Sequence, residues 1–193
     1  MPRIREFDRD DALGKAMAVF WQKGYAATST SDLLEAMQIG RQSMYDTFGD
    51  KHALYLEALR HYNDTSVDEL LRNLRRATGL DAIGAMLTAF AARPERDNAM
   101  GCMGVNAICE FGDTDAEVLA VRDAASVTLN QALEQALREA VAAGEMVADT
   151  SIADALAFIH ATLAGMKISA KAGSNGATLH AIARYAMTAL RAR

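Results

Sequence analysis

The chain has 193 residues, 51% of them hydrophobic, with two cysteines and a formal charge of −5, enough to bury a substantial core in one unit or two small ones and therefore not a disordered tail. Two cysteines exclude a disulfide framework and point to a reducing compartment. No apolar run approaches the roughly 18 to 20 residues that cross a bilayer, and the start MPRIREFDRDD is charged where a secretion signal is apolar, so a cytoplasmic protein without a membrane partner is expected.

Only Pro2 and Pro94 interrupt a sequence rich in Ala, Leu and Met, so the expected fold is all-α, about nine helices. From Asp8 to Lys23, Leu13, Ala16, Met17, Phe20 and Trp21 fall at helical spacing and Gly24 supplies a stop. The stripe reads as core packing, with Trp21 a filler between helices. The run TSTSDLLEAMQIGRQSMYDTFGDK, 28 to 51, then reads as two short helices and a tight turn. Leu33, Leu34 and Met37, with Ile39 beside Gly40 and Met44 and Phe48 at i and i+4, form one inward face. Thr28 or Ser29 caps the first of the pair. Pointing outward on the second are Arg41, Gln42, Ser43, Tyr45 and Thr47, side chains able to donate to phosphates or base edges in a major groove. The alternative is an αα-hairpin with a solvated polar face.

Neither half of the chain is basic: residues 1 to 60 hold eight Lys or Arg against nine acids, and the remainder twelve against sixteen. DNA binding therefore requires a small concentrated patch, with Arg3 and Arg5 on an N-terminal arm, Arg41 on the reader helix and Lys51 after it, doubled by a dimer.

A long helix is expected from Asp50 to about Ala77, with His52 and His61 solvated or packed along it. A short apolar helix follows with Ile83, Met86, Leu87 and Phe90, then the breaker-rich RPERDNAMG and the glycine-bracketed GCMGVNAICEFG. Amphipathic helices are expected over 114–143, 149–172 and 177–191. In the penultimate one Ile152, Leu156, Ile159, Leu163 and Met166 step by four, three, four and three, and Leu179, Ile182, Ala186 and Leu190 continue the pattern in the last. Such a seam either packs on its own core or meets a second copy of the chain.

The order of elements, a helix ending in FWQKGY, a pair ending in MYDTFGDK, a long linking helix and a larger apolar remainder, resembles the TetR/AcrR family of bacterial transcriptional regulators. The match is specific over residues 8 to 60, on Phe20, Lys23, Gly24, Tyr25, Thr28, Asp32, Ile39, Met44, Tyr45, Phe48 and Lys51. GCMGVNAICE is similar to a segment found in one group of these regulators. Asp46, Thr47 and Gly49 depart from the His, Tyr and Pro that many members carry. The resemblance implies a DNA-binding head over 1–49 and a ligand-binding and dimerisation domain over 50–193. It implies a homodimer on double-stranded, pseudo-palindromic operator DNA, joined through Ile152 to Leu190. Arg41, Gln42, Ser43 and Thr47 become candidates for groove contacts, and Thr28, Tyr45 and Lys51 for phosphate contacts. A small-molecule effector would then change how the fourth helix leans and release the DNA.

The expected ligand wall comprises Met86, Phe90, Cys102, Met103, Val105, Asn106 and Cys109, with Phe111 beside them. Cys102 and Cys109 are seven residues apart, roughly 10 Å of helical rise, too far for a disulfide, whose Cα atoms lie about 5.5 Å apart. Two readings of Cys102 stand: a small apolar wall residue, or a thiol favoured by a helix N-terminus that senses electrophiles or oxidants. Cys109 is expected deeper and less reactive. No metal and no cofactor are expected. A thiol enzyme using Cys102 with His160 as base is the rival of another class, and it lacks any phosphate loop, nucleophile elbow or carboxylate cluster. A helical dimer binding a protein through residues 41 to 48 leaves the donors of that helix unexplained.

Overall fold

The computed structural model describes residues 7–94 and 100–192. Nine α-helices and no strand occur among them: α1 (Arg9–Lys23), α2 (Thr30–Met37), α3 (Arg41–Phe48), α4 (Lys51–Leu74), α5 (Gly79–Ala91), α6 (Met103–Phe111), α7 (Ala116–Ala142), α8 (Ile152–Lys171) and α9 (Gly176–Leu190). Each starts where the sequence offers an acceptor or a turn. Asp8 accepts from the N–H groups of Asp10 and Asp11, Asp50 from Ala53, Asp115 from Glu117 and Val118, and Asn175 from Thr178. Helix α2 carries a reciprocal box in which Ser29 and Asp32 satisfy each other's backbone N–H. Ser29, not Thr28, is the cap.

Two apolar clusters result, and they meet inside α4. The first joins Leu13, Phe20, Leu33, Met44 and Phe48 of the head to Leu54, Tyr55 and Leu59 of α4 and to Cys102 and Met103 at the start of α6. The second joins Leu70, Leu71 and Leu74 of the same helix to α5, α7, α8 and α9. One continuous 24-residue helix thus belongs to both cores, so a tilt at one end moves side chains at the other.

The seam of the last two helices faces inward. Ile159, Leu163, Met166, Leu179 and Ala186 are buried in the second core, and Ile152, Leu156, Ile182 and Leu190 pack against its edge. A stripe at i, i+3, i+4 reads identically whether its partner lies in the same chain or in another copy, and here α5 and α7 provide the partner. The opposite face is also apolar. Phe158 and Tyr185 stand 40% and 79% exposed along a groove lined by Thr162 and Gly165, which reaches down to the edge of the seam at Ile182 and Ala186.

Helix α8 bears on the membrane expectation. The helix has 20 residues, and over an 18-residue window within it the mean hydropathy reaches 1.2, long and apolar enough by length and composition to cross a membrane. Its alanines raise the mean without any one long apolar run, while Ala155, Ile159, Leu163 and Met166 go to the core and Lys167 to a cavity.

Candidate nucleic-acid interface and effector cavity

Helix α3 is held from below. Met44 is fully buried and Phe48 is 5% exposed, and Arg9 covers the Phe48 ring at 4.9 Å while its guanidinium pairs with Glu57 at 2.5 Å. The turn entering it runs through Gln38, in the left-handed region at φ 55. Gly40, the N-cap, contributes no side chain, so the first-turn N–H groups of α3 have no side-chain acceptor. Above that base Arg41, Gln42 and Tyr45 are exposed, and Ser43 and Thr47 are half-buried. Gln42 Nε2 donates to Asp46 Oδ1 at 2.7 Å, so the departure at Asp46 orients its neighbour's amide.

Two residues expected at phosphates sit otherwise. Thr28 is buried at 1% exposure and its hydroxyl donates to the Gly24 carbonyl at 2.6 Å, closing the loop between α1 and α2. Hydroxyls favour such local backbone bonds over reaching outward. Lys51 Nζ lies 4.2 Å from the centre of the Tyr25 ring, a cation held on an aromatic face. Arg3 and Arg5 fall outside the described residues.

A cavity of about 190 Å³ opens between α4, α6, α7 and α8. Cys102, Val105 and Ile108 come from α6 and its N-cap, Asn63 and Val67 from α4, Arg122 and Leu129 from α7, and His160 and Lys167 from α8. Cys102 and Val105 of the expected wall are there. Met86 and Phe90 are instead buried against α9 in the second core, and Met103 turns into the first. Asn106 Oδ1 accepts from Lys171 Nζ at 2.8 Å. The cysteines exchange roles: Cys102 is buried and Cys109 exposed. Seven residues do share one helical face, but Cys102 is the N-cap, in extended backbone at φ −130, so the helical projection does not apply to it.

Burial pushes the Cys102 thiol up, yet the Lys167 charge, the Tyr62 hydroxyl, the Val105 N–H and the Lys167 ammonium as donors outweigh it and hold the thiol below its ordinary value. Tyr62 is raised in turn by burial and by the charge on Cys102. Burial, then Lys167, lowers His160, whose Nε2 donates to Asn130 Oδ1 at 2.6 Å. The side chains that act on the thiol are Lys167 and Tyr62, and no histidine is among them. Sequence reasoning missed Lys167: it lies 65 residues from Cys102 on a helix whose apolar stripe dominates the pattern.

Helix α6 also reaches the head. Glu110, near its C-terminal end, accepts the backbone N–H groups of Tyr25 at 3.2 Å and Ala26 at 2.9 Å, and Phe111 lies 5.2 Å from the Tyr25 ring centre. Gly24 permits this approach: its φ is +80, and a Cβ there would stand 2.3 Å from Glu110 Oε1. A second tie joins His52 Nε2 on α4 to Asp115 Oδ2 at 2.7 Å. Trp21 is more than a filler, since its Nε1 donates to the Gly101 carbonyl at 3.3 Å just before Cys102.

A three-helix head with an outward polar helix, joined by one long helix to a helical body with a cavity, is the architecture of a DNA-binding regulator. Family models match both parts, bacterial regulatory proteins of the tetR family over residues 12–58 and the tetracyclin repressor-like C-terminal domain over residues 79–186. The chain belongs to the TetR family of bacterial regulatory proteins, which are transcription regulators and not enzymes. It is 29% identical to the HTH-type transcriptional repressor ComR of Escherichia coli (strain K12), over 98% of this chain and 90% of that one. It is 31% identical to the HTH-type transcriptional regulator YezE of Bacillus subtilis (strain 168), over 81% and 82%. Among solved structures, a cysteine mutant of the TetR family regulator CifR complexed with 26-bp double-strand operator DNA superposes with a TM-score of 0.81 at 32% identity, covering 97% of this chain and 99% of that one.

Proposed function

We propose that the chain is a transcriptional repressor that binds a pseudo-palindromic operator in the cytoplasm as a homodimer and leaves it when an effector enters the cavity beside Cys102. The observation that carries the DNA reading is α3 itself: Arg41, Gln42 and Tyr45 exposed over a base of Met44 and Phe48, with first-turn N–H groups free of any side-chain cap. A side-chain-free helix start accepts a phosphate, and the outward donors address the groove. Residues 1–49 form the head of this reading and 50–193 the sensing and pairing part. The apolar groove of Phe158 and Tyr185 on α8 and α9 is the face for the second copy, since exposed patches of this kind mark interfaces. A titration of the chain against the DNA upstream of its own coding region, read by fluorescence anisotropy, tests this directly. Saturable binding that falls steeply with salt is expected, and salt-independent or absent binding overturns it.

Helix α6 supports the effector reading, because Cys102 at one end borders the cavity and Glu110 at the other grips the loop between α1 and α2. A change at the sulfur that shifts α6 pulls on the head and alters the spacing of the two readers. Alkylation of the wild type is expected to release the operator, while Cys102→Ser binds it and ignores the reagent. If both respond alike, the effector acts by reversible occupancy and Cys102 is wall only.

A further inference from the structure

The cavity has an unusual charge balance for a chain of net charge −5. Lys167, Arg122 and His160 line it, and among the described residues no Asp or Glu does. Among the described residues the ion pair of Arg122 is with its exposed neighbour Asp123, at 3.2 Å, a weak surface contact. Lys167 finds no carboxylate among the described ion pairs, and it lines the cavity together with Cys102, whose thiol its charge holds below the ordinary value. Asn63, Ser66 and Ser126 add uncharged polar groups, and Val67, Leu129 and Leu163 give the space an apolar side. At about 190 Å³ it is smaller than the roughly 300–1,000 Å³ of sites for drug-sized ligands, so the occupant is small.

Reaction at the sulfur changes this balance. Once Cys102 becomes a thioether it can no longer carry negative charge, and the half-buried Lys167 lines the cavity beside it with no carboxylate in the lining. A neutral electrophile leaves that deficit in place, whereas one bearing its own anion removes it. We propose that the effector is a small conjugated enone that carries a carboxylate, captured covalently by Cys102 and held through that carboxylate by Lys167 and Arg122. The inference rests on the effector reading given above. The Cys102 thiol gives its proton to solvent and Sγ adds to the carbon β to the ketone, forming a C–S bond as the alkene π pair shifts into the enolate C=C bond and the carbonyl π pair moves to the ketone oxygen. The resulting enolate takes one proton at carbon from solvent and closes to the saturated ketone, with no leaving group and no oxidant.

The test uses the full chain bound to operator DNA, with trans-4-oxopent-2-enoate, its methyl ester and the saturated 4-oxopentanoate as probes. Adduct formation is followed by intact mass and DNA release by anisotropy, and glutathione supplies the intrinsic reactivity ratio of anion to ester. The wild type is expected to favour the anion over the ester at least about tenfold more than glutathione does, as one favourable charge contact provides. The saturated acid forms no adduct. Lys167→Met should bring the ratio back towards that of glutathione, and Lys167→Arg, which keeps the charge, should retain the preference. If both enones modify Cys102 and release DNA at glutathione's ratio, the carboxylate proposal falls while the thiol-effector reading stands. If neither enone modifies Cys102, both fall.

Discussion

Helices α3 and α8 carry the same kind of apolar periodicity, yet they turn opposite chemistry to the solvent. On α3, Met44 and Phe48 fill the head's core and leave a polar face of Arg41, Gln42 and Tyr45 outside. On α8, Ile159, Leu163 and Met166 go inward in the same way, but the face left outside is apolar, with Phe158 at 40% and Ile168 at 54% exposure. Burial of the regular stripe is thus common to both, and it is the residue that is not in the stripe that announces a partner. On the proposed reading the polar remainder of α3 addresses DNA and the apolar remainder of α8 addresses a second copy of the chain.

The largest effect that can break this comparison is at the stripe. Ile159→Glu places a carboxylate in the second core with no partner, which should cost roughly 4 kcal/mol or more and abolish a cooperative thermal transition in circular dichroism. Tyr185→Glu, on the outward face, should keep the fold and shift sedimentation from dimer to monomer. A folded monomeric Ile159→Glu would reverse the two assignments. Next comes the reader: Arg41→Ala and Tyr45→Ala should each weaken operator binding by about tenfold to a hundredfold, in line with about 1–3 kcal/mol for a groove contact, and leave the melting curve in place. Wild-type affinity in Arg41→Ala would move the interface away from α3.

A smaller change is expected at the tie between the regions. Glu110→Gln keeps the shape but loses the charge-assisted acceptance from Tyr25 and Ala26, about 1 kcal/mol. The variant's operator affinity should therefore differ less than the wild type's before and after alkylation of Cys102. An unchanged ratio would show that α6 signals by another route. The smallest effect is at Asp115, held below its ordinary range first by the Val118 N–H and then by His52. A depressed acid stabilises the fold above its unfolded value, near 4, and that contribution disappears as pH falls through the lower folded value. Acid titration of the melting temperature should accordingly be shallower at its low end in Asp115→Asn.

Much of the fold was readable from spacing. The positions of helices α1 to α4 follow from Asp8, Gly24, Ser29, Gly40 and Asp50, because caps and stops are local hydrogen-bonding events that need no knowledge of the remaining chain. The outward set on α3 was readable for the same reason, since Met44 and Phe48 orient a helix of eight residues. Thr28 was not, because its hydroxyl had two acceptable uses and only the closed loop to Gly24 decided between them.

What belongs to one helix, its ends and its buried stripe, was determined by the order of residues alone, as periodicity is intrinsic to a helix. What lies across from that helix was decided only when the chain closed. Tertiary packing turned the α8 seam onto α5 and α7, brought Lys167 to Cys102 across 65 residues, and set Glu110 against the loop at Gly24. These are contacts between elements whose separation in sequence carries no trace of their separation in space, and the charge on the cavity wall is a property of their meeting.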